Sequence, residues 1–284
     1  MGEYKIFKMG TKDHSIAGYH WGRTQPDYVV CIIHGIGEYA ARYERMAHFM
    51  GETNFAVLSM DLRGHGASAG KRGHCAPREK VLGDIDALVS QASEFYPDVP
   101  IILYGHSLGG NLVLDYKMRG RLNAVPKAYV LSAPWLMLVQ KIPFYLECFV
   151  RMMVKIKSDF TISAGIAPNM LGNPEMILDS EGRRGFAHNK ISAETALNGY
   201  DIADAIIGGT HPSNGGAEGK PMLIMHGDQD KICYVEGSKK IAELEGDCCT
   251  YVEWSGYYHE LHNGNAEKDG TEVILKVIQW IQQL

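Results

Sequence analysis

The chain has no stretch of about 20 uncharged apolar residues, which excludes a candidate transmembrane helix. Its longest greasy segment, residues 135–157, is broken by Gln140, Lys141, Pro143, Glu147 and Arg151. Residues 1–10 lack the apolar centre of a secretory signal and carry Glu3, Lys5 and Lys8. Gly2 follows Met1, but Ile6 stands where a myristoylation signal needs Ser or Thr. A cytoplasmic protein is the expectation. Cysteine is scarce, with six residues and no Cys-x-x-Cys pair, so reduced thiols are expected and a structural zinc site is not. Positive charge is also short: 28 Lys and Arg against 33 Asp and Glu give a net charge of -5. That balance offers a nucleic acid nothing to bind. No internal repeat and no low-complexity segment is visible.

What is present reads as one large folded unit. Hydrophobic residues make up 45% and charged residues 21%, ordinary for a globular enzyme, and 284 residues can bury one large core with a smaller insertion. Residues 3–8 and 15–21 alternate polar and apolar, like half-exposed strands joined by a polar turn. Short apolar runs follow at 28–33, 55–60, 101–104, 128–131 and 222–225, each ending in Gly, Asp, Ser or His. Continuous runs of this length suit strands buried on both faces of a parallel sheet. Residues 250–254 read as the last strand. Apolar spacings of three and four predict helices over 43–50, 80–95, 108–117, 236–244 and 272–284. An antiparallel start followed by this alternation implies an α/β architecture, a mostly parallel eight-stranded sheet flanked by helices.

From about residue 134 to 190 no strand signal appears, over a length far beyond ordinary connections. An amphipathic helical part with Phe144, Phe149, Met152, Met153 and Ile156 precedes a part rich in Gly, Pro and Asn. The expected division is a core over 1–133, a helical cap or lid over 134–190, and the rest of the core over 191–284.

The sharpest motif is Gly105-His106-Ser107-Leu108-Gly109, set between a predicted strand and a predicted helix. Gly-x-Ser-x-Gly needs that context, because the glycines permit a tight turn that projects the serine Oγ above the sheet edge. A serine hydroxyl needs a histidine base, itself oriented by a carboxylate, and in this fold the chain order is Ser, Asp or Glu, then His. The strand at 222–225 runs into His226-Gly227-Asp228-Gln229-Asp230, so Asp230 is the expected carboxylate, with Asp228 as the alternative. His259 falls just beyond the strand at 250–254 and is the expected base, with His262 three residues later as competitor. An oxyanion needs two preorganised donors. Leu108 supplies one backbone N–H, and Ile36, in the Gly-rich turn His34-Gly35-Ile36-Gly37, is the expected second.

These motifs carry a resemblance. The segment His34-Gly35-Ile36-Gly37-Glu38-Tyr39-Ala40-Ala41-Arg42-Tyr43 resembles the oxyanion loop of monoacylglycerol lipases and related lysophospholipases. Asp61-Leu62-Arg63-Gly64-His65-Gly66-Ala67-Ser68, Gly105-His106-Ser107-Leu108-Gly109-Gly110 and Tyr258-His259-Glu260-Leu261-His262 are similar to further segments of that family. The likeness covers most of the chain except the cap, where residues 179–190 depart from it. The loop at Arg63-Gly64-His65-Gly66 reads as structural. The resemblance implies the α/β-hydrolase fold, Ser107, Asp230 and His259 as triad, and Ile36 and Leu108 as oxyanion donors. It also implies that Glu38, Arg42 and His262 surround the polar head of a small lipid-like ester.

Other readings have specific tests. His259-Glu260-Leu261-His262 spaces its histidines at i and i+3, whereas a zincin needs i and i+4, so no catalytic metal is expected, and no motif asks for a cofactor. A non-catalytic binder on this fold would typically lack a triad member, and all three are present. A short-chain carboxylesterase or an aminopeptidase-like amidase differs in the cap. Its apolar helix argues for an acyl tunnel and for peripheral membrane contact.

Overall fold

The computed structural model describes residues 4–11, 14–140, 143–181 and 186–284. Gly2 and Glu3, Lys141 in the greasy segment, and residues 182–185 of the stretch departing from the resemblance lie outside the described residues. Ten strands run along them: β1 (Lys5–Thr11), β2 (His14–Trp21), β3 (Tyr28–Ile33), β4 (Phe55–Met60), β5 (Ile101–His106), β6 (Ala128–Ser132), β7 (Thr161–Ser163), β8 (Lys190–Ser192), β9 (Met222–Gly227) and β10 (Cys249–Trp254). The helices are α1 (Glu44–Glu52), α2 (Arg78–Phe95), α3 (Leu108–Arg119), α4 (Phe144–Ile156), α5 (Pro174–Glu181), α6 (Ala193–Ile207), α7 (Val235–Glu245) and α8 (Thr271–Ile281).

Eight strands form one sheet in the order β1-β2-β4-β3-β5-β6-β9-β10. The β1–β2 and β2–β4 pairs are antiparallel, and every later pair is parallel. This is the α/β-hydrolase fold expected from the sequence. The apolar runs are continuous because both faces are covered. In β3, Val29, Cys31 and Ile33 face the core beneath α2, α3 and α7, whereas Val30 and Ile32 face the core beneath α1 and α8.

The structure adds strand where the sequence shows no strand signal. Residues 134–190 do hold strand: β7 lies within them and pairs antiparallel with β8, which begins at residue 190. Three-residue strands are too short to show a period of two. Beyond residue 190, α6 packs on α4 through Ala193, Leu197 and Val150. Both ends of the stretch expected to form the cap are bonded to the rest of the chain. At the first, Trp135 N donates to Ser107 O (2.9 Å), Val139 N to Ile232 O (2.9 Å) and Tyr234 N to Met137 O (2.7 Å). At the second, His188 N donates to Gly37 O (3.0 Å) and Ser192 N to Gly73 O (2.9 Å).

Candidate active site

Four loops leave the carboxyl ends of β3, β5, β9 and β10, where open α/β sheets bind their ligands. Between β5 and α3 the chain turns on Ser107, which takes φ 54° and ψ -117°. A non-glycine residue in that region is strained and persists only where its surroundings hold it. Here Ser107 N donates to Ser132 O (3.0 Å), and Asn111 N and Trp135 N return bonds to Ser107 O (3.1 and 2.9 Å). The turn packs so closely on β3 that a Cβ on Gly109 would meet Ile33 O at 2.1 Å.

The structure brings Ser107, His259 and Asp230 into one chain of hydrogen bonds. Ser107 Oγ lies 2.8 Å from His259 Nε2, and His259 Nδ1 lies 2.7 Å from Asp230 Oδ2. With Nδ1–H donating to the carboxylate, Nε2 is left to accept the serine proton. Asp230 is held from four directions. Its Oδ1 accepts from Ile232 N (2.7 Å) and Cys233 N (3.0 Å), and its Oδ2 lies 3.1 Å from His226 Nε2. Burial works against both charges. For Asp230 the attraction and hydrogen bonds of His259 and His226 outweigh it, and the carboxyl stays well below its usual range. His259 is lifted above the ordinary imidazole value, because the Asp230 carboxylate, aided by Glu260 and Glu38, outweighs burial.

The alternatives lie elsewhere. Asp228 accepts from Gly256 N (2.7 Å) and Ser255 Oγ (3.1 Å), the role of a turn cap. His262 is buried and stacks on Tyr43 with ring centroids 4.9 Å apart. Neither of its ring nitrogens has a hydrogen-bond partner among the described residues. Burial, helped by Arg42, Arg45 and His259, drives its pKa down to about 3, so the ring is neutral.

Ile36 lies in the wall of the cleft that Ser107 lines, and Leu108 is the first residue of α3. The first N–H groups of a helix have no intrahelical partner and point outward, so they suit an anion. A cleft of about 280 Å³ opens over Ser107 and His259, with Ile36, Glu38, Arg42 and Glu260 in its walls. His262 is not among its lining residues. A second cavity of about 320 Å³, walled by Trp135, Leu146, Ile162, Met170 and Tyr200, lies under the cap and shares Ile166 with the first.

Glu38 and Arg42 belong to a buried cluster. Arg42 Nη2 donates to Glu260 Oε2 (2.9 Å) while its Nη1 stands 3.6 Å from Glu38 Oε2, which accepts from Tyr43 O–H (3.0 Å). The members that sequence reasoning missed are Glu260, His106 and, behind Asp230, His226. Each adjoins a motif residue, but only the fold reveals what each faces. Glu38, His106 and Glu260 bring ligand-capable atoms within 4.8 Å of one another, yet the Arg42 guanidinium already serves both carboxylates.

Residues 24–266 match the serine aminopeptidase S33 family. The chain belongs to this family. It is 29% identical over 283 residues to a monoacylglycerol lipase of Mycolicibacterium smegmatis, covering 95% of this chain and 96% of that one. An uncharacterized abhydrolase domain-containing protein of Dictyostelium discoideum is 28% identical over 263 residues, 92% of this chain, but the chain spans 27% of that protein. Among solved structures, the monoacylglycerol lipase of Paleococcus ferrophilus superposes with a TM-score of 0.76 at 26% identity, over 98% of each chain. These relatives bear out the resemblance read from the motifs, and the chain is a carboxylic ester hydrolase of the monoacylglycerol lipase-like kind.

Proposed function

We propose that this hydrolase cleaves monoacylglycerols through a Ser107 acyl-enzyme. The observation that carries the reading is the unbroken contact from Ser107 Oγ through His259 to Asp230, at the meeting of a polar cleft and an apolar cavity. Ser107 attacks the ester carbonyl, His259 takes its proton and returns it to the leaving alcohol, and Asp230 steadies the imidazolium between the two steps. Backbone N–H groups of Ile36 and Leu108 hold the oxyanion. The acyl chain lies along the cavity under the cap, gaining about 0.8 kcal/mol per buried methylene. Glu38 and Arg42 then face the glycerol hydroxyls from the cleft wall, with His262, stacked on Tyr43, supporting them. Residues 134–190 act as the cap that closes over the chain.

The cap also suits a lipid surface. Tyr145, Phe149, Met152 and Ile156 recur at four, three and four residues along α4 and are all exposed. Phe160 and Ile162 extend the patch, and no described helix is long and apolar enough to cross a membrane. A stripe of this kind lies in an interface rather than spanning it.

A panel of monoacylglycerol, lysophospholipid, short aryl ester and aminoacyl amide with matched acyl groups tests the substrate class. Highest kcat/KM on the monoacylglycerol is expected. A preference for the short aryl ester would favour a carboxylesterase, and turnover of the amide alone would favour a peptidase-like role.

A further inference from the structure

Glu38 and Glu260 share a single fixed cation. Glu260 takes the closer seat on Arg42 and accepts from Asn263 Nδ2 at 2.6 Å as well, so its carboxylate is well supported. Glu38 keeps the longer contact to Arg42 and one hydroxyl donor, Tyr43. One guanidinium cannot neutralise two buried carboxylates. Its other oxygen, Oε1, faces His106 Nε2 at 3.5 Å.

That contact identifies where a proton belongs. His106 Nδ1 lies 3.0 Å from the Ser132 carbonyl, which can only accept, so Nδ1 carries the ring hydrogen and Nε2 is a bare lone pair. Two acceptors facing each other repel unless one holds a proton. His106 is fully buried beside His259 and His262, with ring centroids 4.9 and 5.5 Å away, which disfavours placing the charge there. We infer that Glu38 enters each turnover as a neutral carboxylic acid, its Oε1 proton turned toward His106 Nε2. His106 is therefore a positioning residue, acting through Glu38. The direction of titration agrees: burial, opposed by Arg42 and reinforced by Glu260, pushes Glu38 up to about 7, while Glu260 stays below its usual range.

The consequence concerns the oxyanion, and so rests on Ser107 being the nucleophile. Glu38 lines the same cleft as Ser107, and a Cβ on Gly35 would meet Glu38 Oε1 at 2.6 Å and Ser107 Cβ at 3.0 Å. An ionised Glu38 would set a negative charge beside the one that develops on the substrate oxygen. The groups facing Glu38 are Arg42 and Tyr43 from its own segment, His106 from the β5–α3 turn, and His259 and Glu260 from the loop after β10, with His188 of the cap in the same cleft. When His259 is neutral its pull on the Glu38 anion vanishes, so the resting enzyme holds this proton more firmly.

Infrared difference spectra of the full chain, wild type minus Glu38→Gln, test the inference from about pH 5 to about pH 9. A carboxylic-acid carbonyl band that bleaches as pH rises through the neutral range is expected, and carboxylate bands alone at every pH would overturn it. Nitrogen NMR of wild-type His106 decides independently should the variant fail to fold: Nδ1–H is expected, and an Nε2–H tautomer would overturn the inference. The wild-type kcat/KM should fall by about tenfold per pH unit above the Glu38 transition. Glu38→Gln should lose that limb and keep the acid one. An upper limb unchanged in Glu38→Gln would detach the proton from turnover. The spectra stand even if Ser107 proves not to be the nucleophile, which separates the two failures.

Discussion

Asp230 and Glu38 are both buried carboxylates near His259, and the protein holds them in opposite ways. Asp230 is saturated by two backbone N–H groups and two imidazoles, which keeps its charge in place across the working range. Glu38 has one hydroxyl donor, a second-best seat on Arg42 and a bare imidazole nitrogen opposite. Around it, both nitrogens of His262 are buried without partners among the described residues. One side of the cleft is finished before substrate arrives. The other keeps hydrogen-bonding capacity in reserve, which is what recognition of a hydroxylated head group requires, since a site built for a hydroxyl rejects an analogue lacking it.

If the finished side is the chemical one, the largest losses must come from it. Ser107→Ala and His259→Ala should each cut kcat by on the order of 10^4-fold or more while thermal unfolding stays cooperative. A folded Ser107→Ala protein with a tenth of wild-type activity would break the comparison outright. Asp230→Asn should cost about 10^4-fold, because the wrong tautomer of His259 is then favoured. Asp228→Asn should cost under about tenfold, as expected for a residue that caps a turn outside the hydrogen-bond chain. Steady-state kinetics on one aryl ester ranks all four.

The acid limb sharpens the same side. His259 must be neutral to accept the Ser107 proton, and its pKa lies above 6.5 in the folded protein. The limb of kcat/KM should therefore sit above the ordinary imidazole value, and replacing Asp230 should move it down.

Smaller effects belong to the reserve side. Glu38→Ala and His262→Ala should lower kcat/KM on a monoacylglycerol about tenfold more than on an aryl ester of the same chain, equivalent to about 1.4 kcal/mol. Equal losses on both substrates would reassign these residues to supporting the triad. Glu38 also carries a stability signature. An unfolded Glu ionises near 4.5 and the folded one at about 7, so between those values the native state holds the extra proton. Stability contributed by this group therefore falls as pH rises through that window. Relative to wild type, Glu38→Gln should gain roughly 3 kcal/mol on going from about pH 4 to about pH 8. Denaturant unfolding at the two pH values measures it.

Legibility in the sequence divided along the same line. The eight core strands could be read because each is long enough to show its apolar run, and the convergence of Ser107, Asp230 and His259 because each ends or follows such a run. The glycines around Ser107 marked the turn, and their backbone contacts explain why. What stayed hidden depends on partners distant in the chain. Glu260 is separated from Arg42 by 218 residues, and nothing in its neighbourhood marks it as that arginine's closer partner. His226 looked like part of a polar turn, yet it sits between Ser238 (2.7 Å) and Asp230. The strands β7 and β8 and the helix α6 were missed because the strands are three residues long and α6 lies past the end assigned to the insertion.

The stitching of the cap roots limits how this enzyme can be rebuilt. The first root is bonded to the chain just after Asp230, through Leu138 opposite Cys233, and the second to Gly37 beside the expected oxyanion donor. A cap exchanged between relatives therefore has to be cut inside these roots, after residue 139 and before residue 188. A graft that begins at residue 134 would carry away the bonds that hold Ser107 and the Asp230 loop in register. Such a chimera should fold its sheet and still lose turnover, whereas the shorter graft should exchange chain-length preference and leave the chemistry in place.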